Sequence, residues 1–402
     1  MEKASIVLDI GGSYTKCGYT GESTPRCIVP TDLHPFNLSQ YLSSGISYDH
    51  TTTDNNNNNN LIILPTAQQL TEPLLNFLNT LFLKYLLCKP EQKKIVIVEN
   101  LFVPRMFRQL LVSLLFDHFK VQSIVLLSPT VSLLPLLRTT AVIIDCGYSE
   151  SRVYEGIGMM SAYKTARVGS KTIRDQLKKS LMDDLANRTV VSNTLTRQPL
   201  EQSQARSIIE SLTSQQLEDI LIKTTVLALD PTSVTISNIE YHLTPTTSLS
   251  ISSQQRSHIC DALFHDPNVE QDCDGVDEEN IVTLLLDSLI QCDIDMTKSL
   301  AHSLLLIGGT GMLPGFKAKL IQQVKKRLDE ADDDSIYSQL KGLTNHLEFI
   351  DHQYQPNYFM WLGASLAGTF DTYTTHRLTH DQYTRGNKRL PEYERCTINS
   401  TK

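Results

Sequence analysis

The chain has 402 residues, more than one ordinary hydrophobic core holds, so two domains or lobes are expected. Its composition is that of a soluble globular protein, 41% hydrophobic and 20% charged. A net charge of −8 offers no basic footprint for a nucleic-acid backbone, so no nucleic-acid partner is expected.

The first stretch, to about Pro30, reads as hairpin strands with glycine turns. It runs directly into a strand without a charged leader or cleavage site, so no secretory signal is expected. Thr31 to Asn60 is polar and turn-rich and ends in the tract Asn55–Asn60, which buries nothing and predicts a mobile surface loop. Leu74, Leu78, Leu81 and Tyr85 recur at helical spacing and predict a helix over Leu70–Leu87. A buried strand Ile95–Val98, a helix Arg105–Phe119 and a strand Ile124–Leu127 follow. This alternation predicts an α/β class.

The most apolar segment, Ile124–Ile144, is interrupted by Pro129, Pro135 and Arg138, so no membrane insertion is expected. Pro135–Thr140 reads as a crossover, followed by a second hairpin and a helix over Lys171–Met182. The segment from about Asp183 to Asp274 is rich in Ser, Thr and Gln and reads as an insertion. Asn280–Gln291 is apolar and helical; Ser303–Ile307 is a buried strand ending at Gly308-Gly309. Pro314 is expected to start a helix with Phe316, Leu320, Val324 and Leu328 inside. Asp329–Asp334 reads as a solvated turn, and Trp361–Phe370 as a small-residue helix. Eight scattered cysteines, at 17, 27, 88, 146, 260, 273, 292 and 396, form no metal-ligand spacing and are expected to be reduced thiols.

One pattern occurs twice. Asp9-Ile-Gly11-Gly12 and Asp145-Cys-Gly147-Tyr148 each end an apolar strand. Such paired turns can hold a metal-bound triphosphate. Glycine permits backbone N–H groups to converge on phosphate. Lys16 would place an ammonium over a β- or γ-phosphate, and Asp9 would orient water around Mg²⁺. Gly308-Gly309-Thr310-Gly311, between a buried strand and a helix, permits close approach of a nucleotide. Tyr148 stands where a working site of this type would need an acid.

Asp9–Glu22, Arg138–Gly147, Tyr154–Gly156 and Cys292–Phe316 resemble actin, and Trp361–Ser365 is similar to that family's Trp-x-Gly-Gly-Ser helix start. The likeness runs, with gaps, over nearly the whole chain and is weakest at residues 31–62 and 183–275, the positions of actin's smaller outer subdomains. It implies duplicated mixed-sheet lobes around a central cleft, as in actins, Hsp70 and sugar kinases. The lobes would be 1–137 plus 341–402, with a small outer subdomain at about 31–70, and 138–340, with an outer insertion at about 183–275. It also implies nucleotide contacts from Asp9, Gly11, Gly12, Lys16, Asp145, Gly147, Gly308, Gly309 and Thr310. Mg²⁺ would be reached through Asp9 and Asp145. Two outcomes stay open: no bound cofactor, or ATP or ADP with Mg²⁺ bound without turnover.

Departures from the family pattern point away from catalysis. Tyr148 and Ser149 replace the second Asp-Gly of the second loop, and Ser128 replaces the water-positioning Gln. Ser13 replaces a phosphate-facing Gly, Ile10 a polar residue, and Leu221-Ile222 a Lys-Glu pair. Arg26–Pro30, Asp145–Tyr148 and Leu286–Asp295 are most similar to the actin-related branch at the pointed end of dynactin. That implies cytoplasmic, cytoskeletal partners. These are the actin-related filament subunit, the other pointed-end subunits and, through them, dynein and its cargo on microtubules. A face missing from a head-to-tail assembly ends a filament, and the Asn-rich loop at 31–62 stands where actins carry a subunit-gripping loop. The alternatives are a nuclear subunit of a chromatin-remodelling complex and a weak actin-like ATPase. Lys325-Lys-Arg327 is too short a basic run to favour the nucleus.

Overall fold

A computed structural model describes residues 4–36, 38, 65–99, 103–156, 162–187, 191–194, 198–227, 229, 237–264, 280–370, 377–386, 388 and 390. The Asn55–Asn60 tract and most of the 31–62 loop lie outside these residues. The chain divides into two compact units. One comprises Met1–Ala141, Glu155–Met160 and His352–Lys402; the other comprises Val142–Tyr154 and Ser161–Asp351.

The first unit is built on strands β1 (Ile6–Ile10), β2 (Tyr14–Tyr19), β3 (Cys27–Pro30), β4 (Lys94–Val98) and β5 (Ser123–Leu127). The sheet order is Leu378–Thr379, β5, β4, β1, β2, β3. β4 runs parallel to both β1 and β5, and β2 is antiparallel to β1. Because the central strands are covered on both faces, they read as continuous apolar runs. Ile6, Leu8, Ile95 and Ile97 face a core that includes Leu74, Leu78, Phe82, Leu111 and Leu115. Val7, Val96, Val98 and Val125 face the opposite way, toward Trp361, Ala364 and Ala367.

Two helices of this unit end as the sequence spacing suggests but change character on the way. Ala67–Asn79 and Arg105–Ser113 are α-helical. Each then widens to i→i+5 bonding, with Leu86 N–H on Leu81 O at 2.9 Å and Phe119 N–H on Leu114 O at 3.0 Å. The helix Phe359–Ala367 lies close on the sheet because its motif residues are shaped for contact. Trp361 Nε1 donates to Val7 O at 3.2 Å, and a Cβ on Gly363 would lie 2.2 Å from Val131 O.

The second unit repeats the central part of this plan. Strands β6 (Val142–Cys146), β7 (Ser151–Glu155) and β8 (Lys164–Ala166) join a later strand Leu304–Ile307. That strand pairs parallel with β6, as β4 does with β1, and the order is Leu304–Ile307, β6, β7, β8. Helix Ile281–Ile290 packs on β8, and Phe316–Asp329 packs on that helix. The expected stripe of Phe316, Leu320, Val324 and Leu328 is buried.

The helix start differs from the sequence expectation. It begins at Phe316 and not at Pro314, because Gly315 intervenes at φ +88°, where a Cβ would lie 2.4 Å from Leu227 O. The Ser/Thr/Gln-rich segment has its own structure: helices Gln202–Glu210 and Ser214–Thr224, and a sheet of Val191–Asn193, Ile239–Thr244 and Thr247–Ile251. Cys17, Cys27, Cys88, Cys146, Cys260 and Cys292 are free thiols. Among the described residues, no helix is long and apolar enough to cross a membrane.

Candidate functional site

The β1–β2 hairpin places Asp9, Gly11, Gly12 and Lys16 together. Gly11 N–H closes the turn on Tyr14 O at 3.1 Å. The turn is so tight that a Cβ on Gly11 would lie 2.6 Å from that oxygen. Register then sets Lys16 opposite Asp9, and their charged atoms are 3.2 Å apart. Thr31 secures the loop from outside: its hydroxyl donates to Gly11 O and its amide to Ser13 O, each at 2.8 Å.

The β6–β7 hairpin has the same construction. Gly147 N–H closes on Glu150 O at 3.0 Å. Continuing that pairing by two residues puts Arg152 opposite Asp145, and Arg152 Nη1 lies 3.3 Å from Asp145 Oδ2. The other guanidinium nitrogen, Nη2, is paired with Glu150 Oε1. Asp145, Glu150 and Arg152 are 6%, 7% and 9% exposed, so two buried carboxylates share one buried cation. In both hairpins the base stands seven positions after the acid, Lys16 after Asp9 and Arg152 after Asp145. That spacing was available in the sequence. Arg152 carries no motif signal, because arginine and lysine do not read as the same motif letter.

The strand end at residues 308–310 meets this second hairpin. Thr310, itself buried, donates its hydroxyl to Gly147 O at 2.6 Å. Gly308 is at φ +91°, and a Cβ there would lie 2.2 Å from Cys146 O. Its glycine is therefore required by the neighbouring strand. Around Gly309 a Cβ would meet nothing within 4 Å. The helix Ser170–Asp183 spends its first amides on the same loop. Ser170 N–H reaches Gly147 O at 3.3 Å, and Lys171 N–H reaches Tyr148 O at 2.8 Å. This helix start, a natural anion site, is satisfied by the protein's own carbonyls.

Tyr148 is half-buried and its hydroxyl is bonded to Arg174 Nη1. The guanidinium carbon lies 5.6 Å from the ring centre. Burial raises the phenol's pKa above its ordinary value, and Arg174 opposes that rise. A neutral phenol held by a guanidinium is a poor base and a poor metal ligand. Ser128 caps the helical turns Pro129–Leu136, accepting from Thr130 N–H at 3.4 Å. Leu221 is buried, and Ile222 is 71% exposed.

The side chains present do not fit a divalent metal. Asp9 faces Lys16 and Asp145 faces Arg152. Among the described residues, no group of three or more His, Cys, Asp or Glu could hold an ion. The amides of Gly11 and Gly147, which a phosphate cradle would use, close their own turns.

The family model for actin matches residues 1–390 of this chain. The chain belongs to the actin family. It is also 38% identical, over 428 aligned positions, to Actin-related protein 10 of Dictyostelium discoideum; the match covers 98% of this chain and 90% of that protein. The actin fold thus accounts for the two hairpins with a parallel strand beside each. In the two hairpins Asp9 pairs with Lys16 and Asp145 with Arg152, and Glu150 and Arg174 add further contacts in the second.

Proposed function

We propose that this chain is a non-catalytic actin-related subunit that ends an actin-type filament. Its assembly is the pointed-end complex of dynactin, where it links the actin-related filament to the other pointed-end subunits in dynein-based transport. It works in the cytoplasm as part of the cytoskeleton. The observation that carries the non-catalytic part is the second loop. Tyr148 occupies the position of an acid and is held by Arg174, while Asp145 is held by Arg152. Similarity to Actin-related protein 10 supports an actin-related assembly role. The dynactin and filament-end assignments draw on the resemblance of Arg26–Pro30, Asp145–Tyr148 and Leu286–Asp295, and on the composition of residues 31–62.

Affinity purification with mass spectrometry tests the partner. Recovery of dynactin subunits is expected, and recovery of chromatin-remodelling subunits in their place would refute the assignment. Phosphate release from ATP by the purified chain should not exceed background; turnover quenched by Asp9→Asn or Asp145→Asn would overturn the non-catalytic reading. Homopolymeric filaments in electron micrographs would sink the filament-end role.

A further inference from the structure

We propose that Arg152 is a built-in cation that takes the place of a divalent metal in the second hairpin, so that this loop is held closed without any ion. The inference rests on the non-catalytic reading of the loop and is independent of the dynactin assignment.

Two carboxylates, Asp145 before the turn and Glu150 after it, are buried and reach the same guanidinium. Buried carboxylates require a cation, and here the chain supplies it from the adjacent strand. Arginine suits the task because its planar fork presents donors to two acids at once, whereas an ammonium offers a single point charge. The first hairpin makes the contrast: Lys16 meets Asp9 alone. A divalent ion bound at Asp145 would have to displace or face the guanidinium at close range, where like charges repel strongly. The remaining ties of the loop are also ion-free. Gly147 O is held by Thr310 and Ser170, Tyr148 O by Lys171, and the Tyr148 hydroxyl by Arg174.

Thermal unfolding of the full chain in EDTA and in millimolar Mg²⁺ tests this. The wild-type midpoint should not move, whereas a metal saturating a site at a hundred times its dissociation constant would raise it by about 3 °C. Arg152→Gln should melt lower in EDTA and regain stability with Mg²⁺ or Ca²⁺. The double variant Asp145→Asn/Arg152→Gln should show no such response. If Arg152→Gln folds and no divalent ion stabilises it, the proposal is wrong. Where that variant fails to fold, a Mn²⁺ titration of the wild-type chain followed by electron paramagnetic resonance decides, with and without ATP. No saturable site dependent on Asp145 is expected; a Mn²⁺ signal that Asp145→Asn abolishes would overturn the proposal. Phosphate release reports on the non-catalytic reading separately, so failure of either idea is distinguishable.

Discussion

The two hairpins share one backbone plan and differ in what surrounds the acid. In the first, Asp9 and Lys16 form a single pair, their side chains 11% and 16% exposed against 8% and 11% for Asp145 and Arg152. In the second, Arg152 bridges two acids, and Tyr148 and Arg174 add a further link. The difference shows that a duplicated turn can keep its geometry while the number of charged groups joined around its acid changes. Once Asp145 and the Gly147 amide serve the loop itself, the geometry persists as structure.

Substitutions measured by urea unfolding can break this comparison. Arg152→Met should cost most, about 3–5 kcal/mol, because it leaves two buried carboxylates without their cation. Lys16→Met should cost about 1–3 kcal/mol, since one charged hydrogen bond is lost at a less enclosed site. Equal effects would mean that the hairpins are energetically alike and the contrast is wrong. Gly308→Ala should cost about 1–3 kcal/mol through its left-handed φ and the contact with Cys146 O. Gly309→Ala should stay within about 0.5 kcal/mol of wild type, as expected for open surroundings. A large loss at 309 would show that something beyond the unit's own packing needs that glycine.

Tyr148→Phe should cost about 1 kcal/mol, the net worth of its bond to Arg174. Tyr163→Phe carries a pH signature. Tyr163 stacks on Tyr154 at 5.8 Å, and its phenol is pushed up to about 12, mainly by burial, with Arg152 pulling it down and Asp145 pushing it up. The folded chain holds that proton more tightly than the unfolded chain, which releases it near pH 10. Its contribution is therefore complete below about pH 10 and is lost as pH rises toward 12. Wild type should lose stability faster than Tyr163→Phe over that window. Parallel profiles would show that Tyr163 does not report on the charge cluster.

Much of the fold was legible because its signals are local. Val7, Val96 and Val125 on one face and Ile6, Ile95 and Ile124 on the other give unbroken apolar runs, which mark strands covered on both sides. The stripe from Phe316 to Leu328 marks a helix by its spacing alone. The helix starts after Gly315, whose left-handed φ places it against Leu227 O, where a Cβ would not fit; Leu227 is remote in sequence. The candidate site was half legible. Asp9 and Lys16 stand out as a motif, and Tyr148 follows the second Asp-x-Gly directly. Glu150, Arg152 and Arg174 carry no motif, and their meaning depends on burial and on the atoms they meet.

The sequence by itself determined the class and the repeated strand–Asp-x-Gly turn, since these depend on residue type and on spacing along the chain. Only the tertiary structure decided that Asp145 and Glu150 share Arg152, that Thr310 and the first amides of Ser170–Asp183 hold the second loop, and that Gly308 is fixed by Cys146. Charge pairing and steric exclusion act across space over a few ångströms. Residues as distant in sequence as Gly147 and Thr310 acquire their roles only when the fold brings them that close.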